Sequence, residues 1–204
     1  MKFSIAAITT AFVASAFSSV NCKPTPYMQH GPTSAIVYLT GPNATVSGTV
    51  TFNQPDPHSA TQIFANLTGL TEGKHGLHVH ELGDLSNGCA SLGPHYNPFN
   101  HTHGGPEGKQ RHAGDFGNII ANADGTATLS LTIDTVHLSG PFSILGRGVV
   151  LHSGEDDLGL GNSPLSNTTG NSGDRSACGV IGCKLHITTS ENPVLTCNLD
   201  ASIA

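Results

Sequence analysis

Short runs in which every second residue is apolar limit this chain's fold more than any other feature. The clearest run is residues 127–133 (ATLSLTI), and similar alternation occurs over residues 46–52 and 63–67. Successive side chains of a strand point to opposite faces, so the pattern predicts strands that bury one face and expose the other. It places Asn66 on the outward face of its strand.

Further strand signals follow along the chain, with turns between them. An apolar run lies at Ile36–Leu39, and a strand pattern occurs around the sequence HGLHVH. Asp124-Gly125, between two such segments, is typical of a tight hairpin. About eight short strands separated by turn residues predict an antiparallel sandwich or barrel. Segments 82–114 and 153–177 are too long for simple connections, which indicates functional loops. The remaining strand patterns cover residues 115–121, 146–152 and 178–187.

Length and composition agree with one β-rich domain carrying terminal tails. The chain has 204 residues and 21.0 kDa, with 25 Gly and only 11% charged residues. Such a composition favours a β protein with ordered loops over a helical one. The formal net charge of -6 argues against nucleic acid as a partner.

The N-terminus predicts a secreted, extracellular protein without a membrane span. One early Lys, an apolar run and then small residues are typical of a signal peptide, which we assign to residues 1–22. Two cleavage motifs stay open, one ending at residue 16 and one at residue 22. A flexible leader over residues 23–33 would follow. Secretion makes N-glycosylation and disulfides expected, and four Asn-x-Ser/Thr sequons are present, at Asn43, Asn66, Asn100 and Asn167.

The stretch KHGLHVHELGD contains three histidines, of which His78 and His80 form a His-x-His pair. In a strand, both side chains would point to one face and Val79 to the other, so the two imidazoles could share a metal ion. Alone, such a pair is more often two surface histidines on an edge strand. The first long loop contains four more histidines, and Asp115 follows it directly. His152 ends an apolar strand. The loop histidines are His95, His101, His103 and His112.

At this point the chain resembles a known family, the copper–zinc superoxide dismutases. The motifs HGLHVHELGD, GPHYNP, HGGPEG, RHAGDFGNI, GRGVVLH, DDLG and GDRSACGVIG occur together and in the family's order. The resemblance runs from about residue 34 to 184. It implies an eight-stranded antiparallel Greek-key sandwich or barrel over residues 34–190, two long functional loops, and a tail at 191–204. It also implies a secreted homodimer that disproportionates superoxide to oxygen and hydrogen peroxide.

The resemblance assigns two metal sites that share one residue. His95 would bridge copper and zinc as an imidazolate and would also be a catalytic residue. Imidazoles suit copper, and three histidines with a carboxylate suit a structural zinc. His75 is expected to make structural hydrogen bonds, and the remaining histidines have no assigned role. The implied copper ligands are His78, His80, His95 and His152, and the implied zinc ligands are His95, His103, His112 and Asp115.

Supporting roles follow from the same resemblance. Asp156 would hydrogen-bond the outer nitrogens of His78 and His103, and Arg175 would hold the anionic substrate beside copper. Cys89 and Cys178 match the family's disulfide within one subunit. Of the five cysteines, Cys183 and Cys197 are the pair we expect in a second disulfide, although sequence alone leaves the connectivity open.

The chain departs from the family pattern in one loop and at its end. Residues 161–169 carry no charge, where relatives commonly have acidic residues and a lysine, and Cys183 replaces an aliphatic residue.

Two other classes of function are compatible with the same motifs. One is a copper chaperone or metal-binding protein, and the other is an extracellular structural protein with a relict site. The complete ligand set, with His152 and Arg175 retained, favours the enzyme over both.

Overall fold

A computed structural model describes residues 33–184 of the chain. The predicted signal peptide, the leader apart from residue 33, and the C-terminal tail lie outside the described residues. Of the helices within the described range, none is long and apolar enough to cross a membrane.

Ten strands and three short helical segments make up the described part of the chain. The strands are β1 (Ser34–Thr40), β2 (Ser47–Asn53), β3 (Thr61–Thr68), β4 (Gly73–His80), β5 (Ser86–Cys89), β6 (Asp115–Ala121), β7 (Ala127–Ile133), β8 (Gly148–His152), β9 (Arg175–Val180) and β10 (Gly182–Cys183). Two 3-10 turns cover Pro42–Ala44 and Ala90–Leu92, and the four-residue helix α1 covers Ser166–Thr169.

Nine of these ten strands, all except β5, form one antiparallel sheet that closes on itself. Its order is β10-β1-β2-β3-β7-β6-β4-β8-β9, and β1 also pairs with β9 through Thr40 and Cys178. Leaving out the two-residue β10, eight strands close the barrel, which confirms the predicted all-β fold. The connections from β3 to β4 and from β7 to β8 each pass over two intervening strands, as in a Greek key.

Period-two alternation decides which side chains fill the barrel. Along β3, buried and exposed residues alternate without exception, with Asn66 on the exposed face as predicted. Residues 127–133 form β7 over their whole length, and its apolar positions face the core. The core is continuous and includes Val37, Phe52, Ile63 and Phe116. One dominant core in a β-rich chain of this size is what the composition predicted.

The hairpin between β6 and β7 forms at the predicted residues. Gly125 has φ +78 and its N–H donates to the carbonyl of Asn122 at 2.9 Å, while Asn122 N donates to Thr126 O at 2.9 Å. Glycine adopts this left-handed backbone without the steric cost of a Cβ. The carboxylate of Asp124 accepts from Thr126 N at 2.9 Å and fixes the turn.

The structure corrects the bounds of the last predicted strand. The strand predicted over residues 178–187 begins earlier, at Arg175, and stops at Val180, with the short β10 after a break at Ile181. Pairing with β8, including an irregularity at His152, aligns Arg175 with that strand's end. The two long loops hold β5, one 3-10 turn and α1, so they contain short structured segments.

Candidate metal centre

The end of β4 and the first long loop bring the clustered histidines together. Val79 packs into the core, and His78 and His80 on either side of it point out of the barrel, as the His-x-His spacing predicted. His152 ends β8, the strand paired with β4. His95 joins them from the loop through a bridge with His80. The ring centroids of His78 and His95 are 4.0 Å apart.

Three groups of side chains in the described residues have ligand atoms close enough to converge on one ion. Two of them share His95, and in the third the imidazoles of His78 and His103 already hydrogen-bond Asp156. In each group the ligand atoms lie within 4.8 Å of one another, and all members are buried. We call the first group the four-histidine cluster and the second the carboxylate cluster. The four-histidine cluster contains His78, His80, His95 and His152, and the carboxylate cluster contains His95, His103, His112 and Asp115.

Six buried imidazole nitrogens in these clusters have no hydrogen-bond partner. Leaving a buried polar atom unpaired is costly, so the atoms point to a ligand that accepts their lone pairs. Their chemistry fits a transition metal, because neutral imidazole is its commonest protein ligand. The donor atoms of both clusters therefore fit bound metal ions. The six atoms are His78 Nδ1, His80 Nε2, His95 Nε2, His103 Nδ1, His112 Nδ1 and His152 Nε2.

Hydrogen bonds at the opposite ring nitrogen fix which nitrogen presents its lone pair. His80 Nδ1 donates to the carbonyl of Gly93 at 2.8 Å, and His152 Nδ1 donates to the carbonyl of Gly173 at 3.1 Å. A neutral imidazole has a single N–H, so the proton used for these bonds leaves Nε2 unprotonated. In both histidines Nε2 is the unpartnered atom.

Asp156 joins the two clusters in the way the resemblance implied. Its Oδ2 accepts from His78 Nε2 and its Oδ1 from His103 Nε2, both at 2.8 Å. Burial opposes a charged carboxylate, but the hydrogen bonds from His103 and His78 outweigh it and lower the pKa of Asp156. The carboxylate therefore stays ionised and accepts from both imidazoles at once.

A clamp that the sequence had not assigned holds Asp156 in place. The Asn118 amide donates to the Asp156 carbonyl and accepts from the Asp156 N–H, both at 2.8 Å. Asn118 lies on β6, three residues after Asp115, inside the motif RHAGDFGNI. Its place in that motif was the only signal in the sequence that could have pointed to it.

The two clusters differ in how strongly their imidazoles favour the protonated form. Burial is the main reason why the pKa of His78 is lowered to about 3, that of His80 to about 2 and that of His152 to about 4. In the carboxylate cluster, burial also opposes charge on His103. There, Asp115 and Asp156 outweigh burial and raise the His103 pKa to about 9 without a metal ion, so a bound cation would displace the second proton of this imidazole.

Asp115 is fully buried yet ionised. Burial alone would raise the pKa of its carboxyl, but contacts with His103, His112 and His95 lower it well below the usual range. Its Oδ2 also accepts from the backbone N–H of His112 at 2.9 Å and of Gly104 at 3.1 Å. These bonds hold the carboxylate towards the three imidazoles.

Arg175 is placed beside the four-histidine cluster by carbonyls of the first long loop. Its Nη1 donates to Cys89 O and its Nη2 to Gly93 O, both at 2.6 Å. The Gly93 carbonyl also accepts from His80, so one oxygen ties the guanidinium to the cluster. Burial lowers the pKa of Arg175, but a guanidinium keeps its charge in proteins.

The predicted Cys89–Cys178 disulfide is present, with 5.7 Å between the Cα atoms. It ties the loop that carries Gly93 to β9, the strand that carries Arg175. Cys183 belongs to the described residues, but its predicted partner Cys197 does not, so that pairing stays a prediction.

The structure also describes histidines outside the clusters and the side chains of three sequon asparagines. Both ring nitrogens of His75 lie 2.9 Å from backbone oxygens, those of His152 and Thr71, which agrees with a structural role. His101 lies outside both clusters. Asn66, Asn100 and Asn167 are exposed. Asn100 and Asn167 line an open cleft of about 740 Å³ beside His95 and His112.

Comparison with known proteins gives a consistent result. The copper/zinc superoxide dismutase family model matches residues 46–181. Among curated proteins, the chain is similar to the extracellular superoxide dismutase [Cu-Zn] of Drosophila melanogaster. The two are 52% identical over 157 residues, which cover 75% of this chain and 87% of the relative.

Proposed function

This chain belongs to the copper/zinc superoxide dismutase family, and from that premise we propose that it disproportionates superoxide to oxygen and hydrogen peroxide. The observation that carries the proposal is the set of six buried, unpartnered imidazole nitrogens in two clusters that share His95. Two of these nitrogens, His103 Nδ1 and His112 Nδ1, face Asp115 at 3.0 and 3.3 Å, as ligands of one shared ion would.

We assign copper to the four-histidine cluster and zinc to the carboxylate cluster. Four neutral nitrogen donors suit copper, and three histidines with Asp115 form a closed set typical of structural zinc. His95 belongs to both sets because each of its ring nitrogens faces one of them. Its Nδ1 lies 2.9 Å from Asp115 Oδ1, and its Nε2 has no hydrogen-bond partner.

Bound copper supplies the one-electron redox couple that superoxide disproportionation requires, and bound zinc supplies fixed positive charge. The chain itself must bind an anion and deliver protons. Two superoxide ions and two protons give one oxygen and one hydrogen peroxide, so one superoxide is oxidised and the other reduced. The protein groups nearest to this chemistry are Arg175 and His95.

Arg175 binds and orients the substrate. Its guanidinium is held by the carbonyls of Cys89 and Gly93 and is only partly buried, so it has one edge fixed and keeps donors for a small anion. Donors already in place stabilise the negative charge without reorganising during the reaction.

His95 moves the proton. Its Nε2 accepts a proton in one half of the cycle and donates it to reduced substrate in the other, while Nδ1 stays on the Asp115 side. Asp156 keeps the rings of His78 and His103 in fixed orientations through their outer nitrogens. The positions of the neighbouring donors are therefore held while His95 changes protonation state.

We also propose that the protein is secreted and forms a homodimer. The signal-peptide pattern at residues 1–22 and the similarity to an extracellular relative support secretion. Apolar side chains exposed on the first long loop, Leu82 and Leu85, are the kind of surface that a subunit contact covers. Finding the chain in the culture medium and sedimentation of the purified protein test the two statements separately.

The activity is tested on one purified sample. The protein is loaded with both metals, its metal content is measured, and superoxide consumption is followed over many turnovers. We expect catalytic consumption from the sample with both metals and none from a sample loaded with zinc alone. A fully loaded protein that consumes no more superoxide than the zinc-only control would instead support a metal-binding or relict function.

A further inference from the structure

One side of the barrel has an unusual surface, formed by the four neighbouring strands β1, β2, β3 and β7. None of their residues is Asp, Glu, Lys or Arg. The outward positions are mostly Thr and Ser, with Asn and Gln. We call this surface the uncharged face. Charged residues lie mostly on protein surfaces, and the outward positions of these four strands contain none.

Asn66 lies at the centre of the uncharged face. It is on β3, with Thr49 of β2 and Thr128 of β7 directly opposite on the two sides. Asn66 and Thr68 of the sequon are exposed, while Leu67 between them is fully buried. Within the described part of the chain, the Asn66 side chain makes no hydrogen bond that a sugar would have to replace.

Two exposed aromatic rings flank Asn66. Phe64 is on the same face of the same strand, two residues earlier, and is 50% exposed. Tyr38 is in the same cross-strand row, two strands away, and is 69% exposed. Strand geometry places their Cα atoms about 7 Å and about 10 Å from that of Asn66. Both distances are within reach of one or two sugar rings.

We propose that Asn66 carries an N-linked glycan whose first sugars lie on the uncharged face and pack against Phe64, extending towards Tyr38. A pyranose ring has an apolar face of C–H groups and a rim of hydroxyls. The C–H face fits an exposed aromatic ring, and the hydroxyls fit the surrounding Thr and Ser side chains. The proposal rests on the proposed secretion, because only a chain in the secretory pathway is N-glycosylated.

The position of Asn66 also separates it from the sequons at Asn100 and Asn167. The strands of the uncharged face carry none of the clustered histidines. A glycan on Asn66 therefore leaves the metal centre open, whereas Asn100 and Asn167 line the cleft beside His95 and His112. Unlike Asn100 and Asn167, Asn66 is a sequon where a glycan covers apolar surface without approaching the site.

The experiment uses the full chain secreted from a eukaryotic host and loaded with both metals. Peptide mapping measures occupancy at Asn66. The glycans are trimmed to one N-acetylglucosamine, and the melting temperature is compared with that of Asn66→Gln. The increment due to the Asn66 sugar is then measured in two further backgrounds, Phe64→Thr and Ile120→Thr. In each, the trimmed glycoprotein is compared with the same protein carrying Asn66→Gln. Ile120 is a matched control because it is an exposed apolar strand residue on β6, outside the uncharged face.

We expect Asn66 to be occupied and the sugar to raise the melting temperature by about 2 to 4 °C. Phe64→Thr should abolish that increment, and Ile120→Thr should retain it. An upfield shift of the sugar's proton resonances by the Phe64 ring gives a second readout that general stabilisation would not produce.

An unmodified Asn66 in the secreted, active protein overturns this inference and leaves the proposed function intact. So does a thermal increment that persists in Phe64→Thr. A chain that never reaches the medium overturns the proposed secretion and this inference together, while the activity assay decides the proposed reaction independently.

Discussion

The two clusters differ most in how they treat charge. The four-histidine cluster contains no carboxylate, and burial keeps the pKa values of His80 and His152 at about 2 and about 4, so its imidazoles stay neutral at physiological pH. The carboxylate cluster contains Asp115, which stays ionised although it is fully buried. Asp156 touches both clusters through one imidazole of each.

This difference indicates a division of labour between two sites that share a residue. A negative ligand offsets the charge of a divalent ion and retains it, which suits a structural site. In the proposed function, neutral ligands leave the ion's positive charge uncompensated, and Arg175 adds another positive charge beside it, which would attract an anion. The same imidazole type therefore serves two purposes, and Asp115, which belongs to the carboxylate cluster alone, decides which one.

Removing the shared residue should have the largest effect. In the proposed function, His95 is a ligand in both clusters and the proton carrier, so we expect His95→Ala to lower activity about 10²- to 10⁴-fold. Zinc affinity should fall with it. The measurement is superoxide consumption and the content of both metals on one sample, with His101→Ala as an exposed control outside both clusters. Intact zinc binding and activity in His95→Ala would show that the clusters share no bridging residue.

Asp156→Asn should weaken the coupling between the clusters. The amide oxygen can accept from His78 or from His103, and the amide NH₂ of Asn cannot accept from the other. We expect zinc affinity to fall about 10- to 100-fold, with little change in the stability of the metal-free fold. Glu155→Gln is the control, because Glu155 is exposed and pairs with Lys74 at 2.7 Å. Zinc affinity equal to that of the control would remove Asp156 from the mechanism.

Gly170→Ala tests the same contact from the backbone side. A Cβ on Gly170 would collide with Asp156 Oδ1 and with His103 Nε2, and Gly170 also has φ +62. Gly140 has φ +76, and a Cβ added there would meet nothing within 4 Å, so Gly140→Ala has only the backbone strain of about 1 kcal/mol. We expect about a tenfold loss of zinc affinity in Gly170→Ala alone. Equal zinc affinity in the two variants would mean that the Asp156–His103 contact tolerates displacement.

Adding a charge near the site should have the smallest effect. Residues 161–169 carry no charge, and Thr168 is exposed in α1. We expect Thr168→Lys to raise the rate constant at low ionic strength by at most about tenfold. The gain should fade as salt shortens the Debye length to about 10 Å at 0.1 M.

The rate constant is measured against ionic strength for deglycosylated wild type, Thr168→Lys and the uncharged control Thr168→Gln. A wild type that already depends as steeply on salt as Thr168→Lys would show that other residues attract the substrate.

The local periodicity of the sequence determined the strands. Residues 127–133 alternate cleanly and form β7, Asp124-Gly125 forms the hairpin before it, and Val79 turns inward between two outward histidines. These features depend on neighbours two to four residues away, which a sequence displays directly. The start of β9 at Arg175 could not be predicted in this way, because an irregular pairing with β8 decides it.

The sequence also contained every residue of the two clusters, and its motifs placed the chain in a family. Spacing alone, however, was also compatible with His78 and His80 as surface histidines on an edge strand. Only the tertiary structure decided which nitrogen of each imidazole is free, since the partner of His78 is Asp156, 78 residues away. It also determined that Asn118 holds the backbone of Asp156 and that His80 and Arg175 both donate to the Gly93 carbonyl. Such contacts join distant segments through single hydrogen bonds, whose direction depends on how the barrel closes and which loops its end holds together.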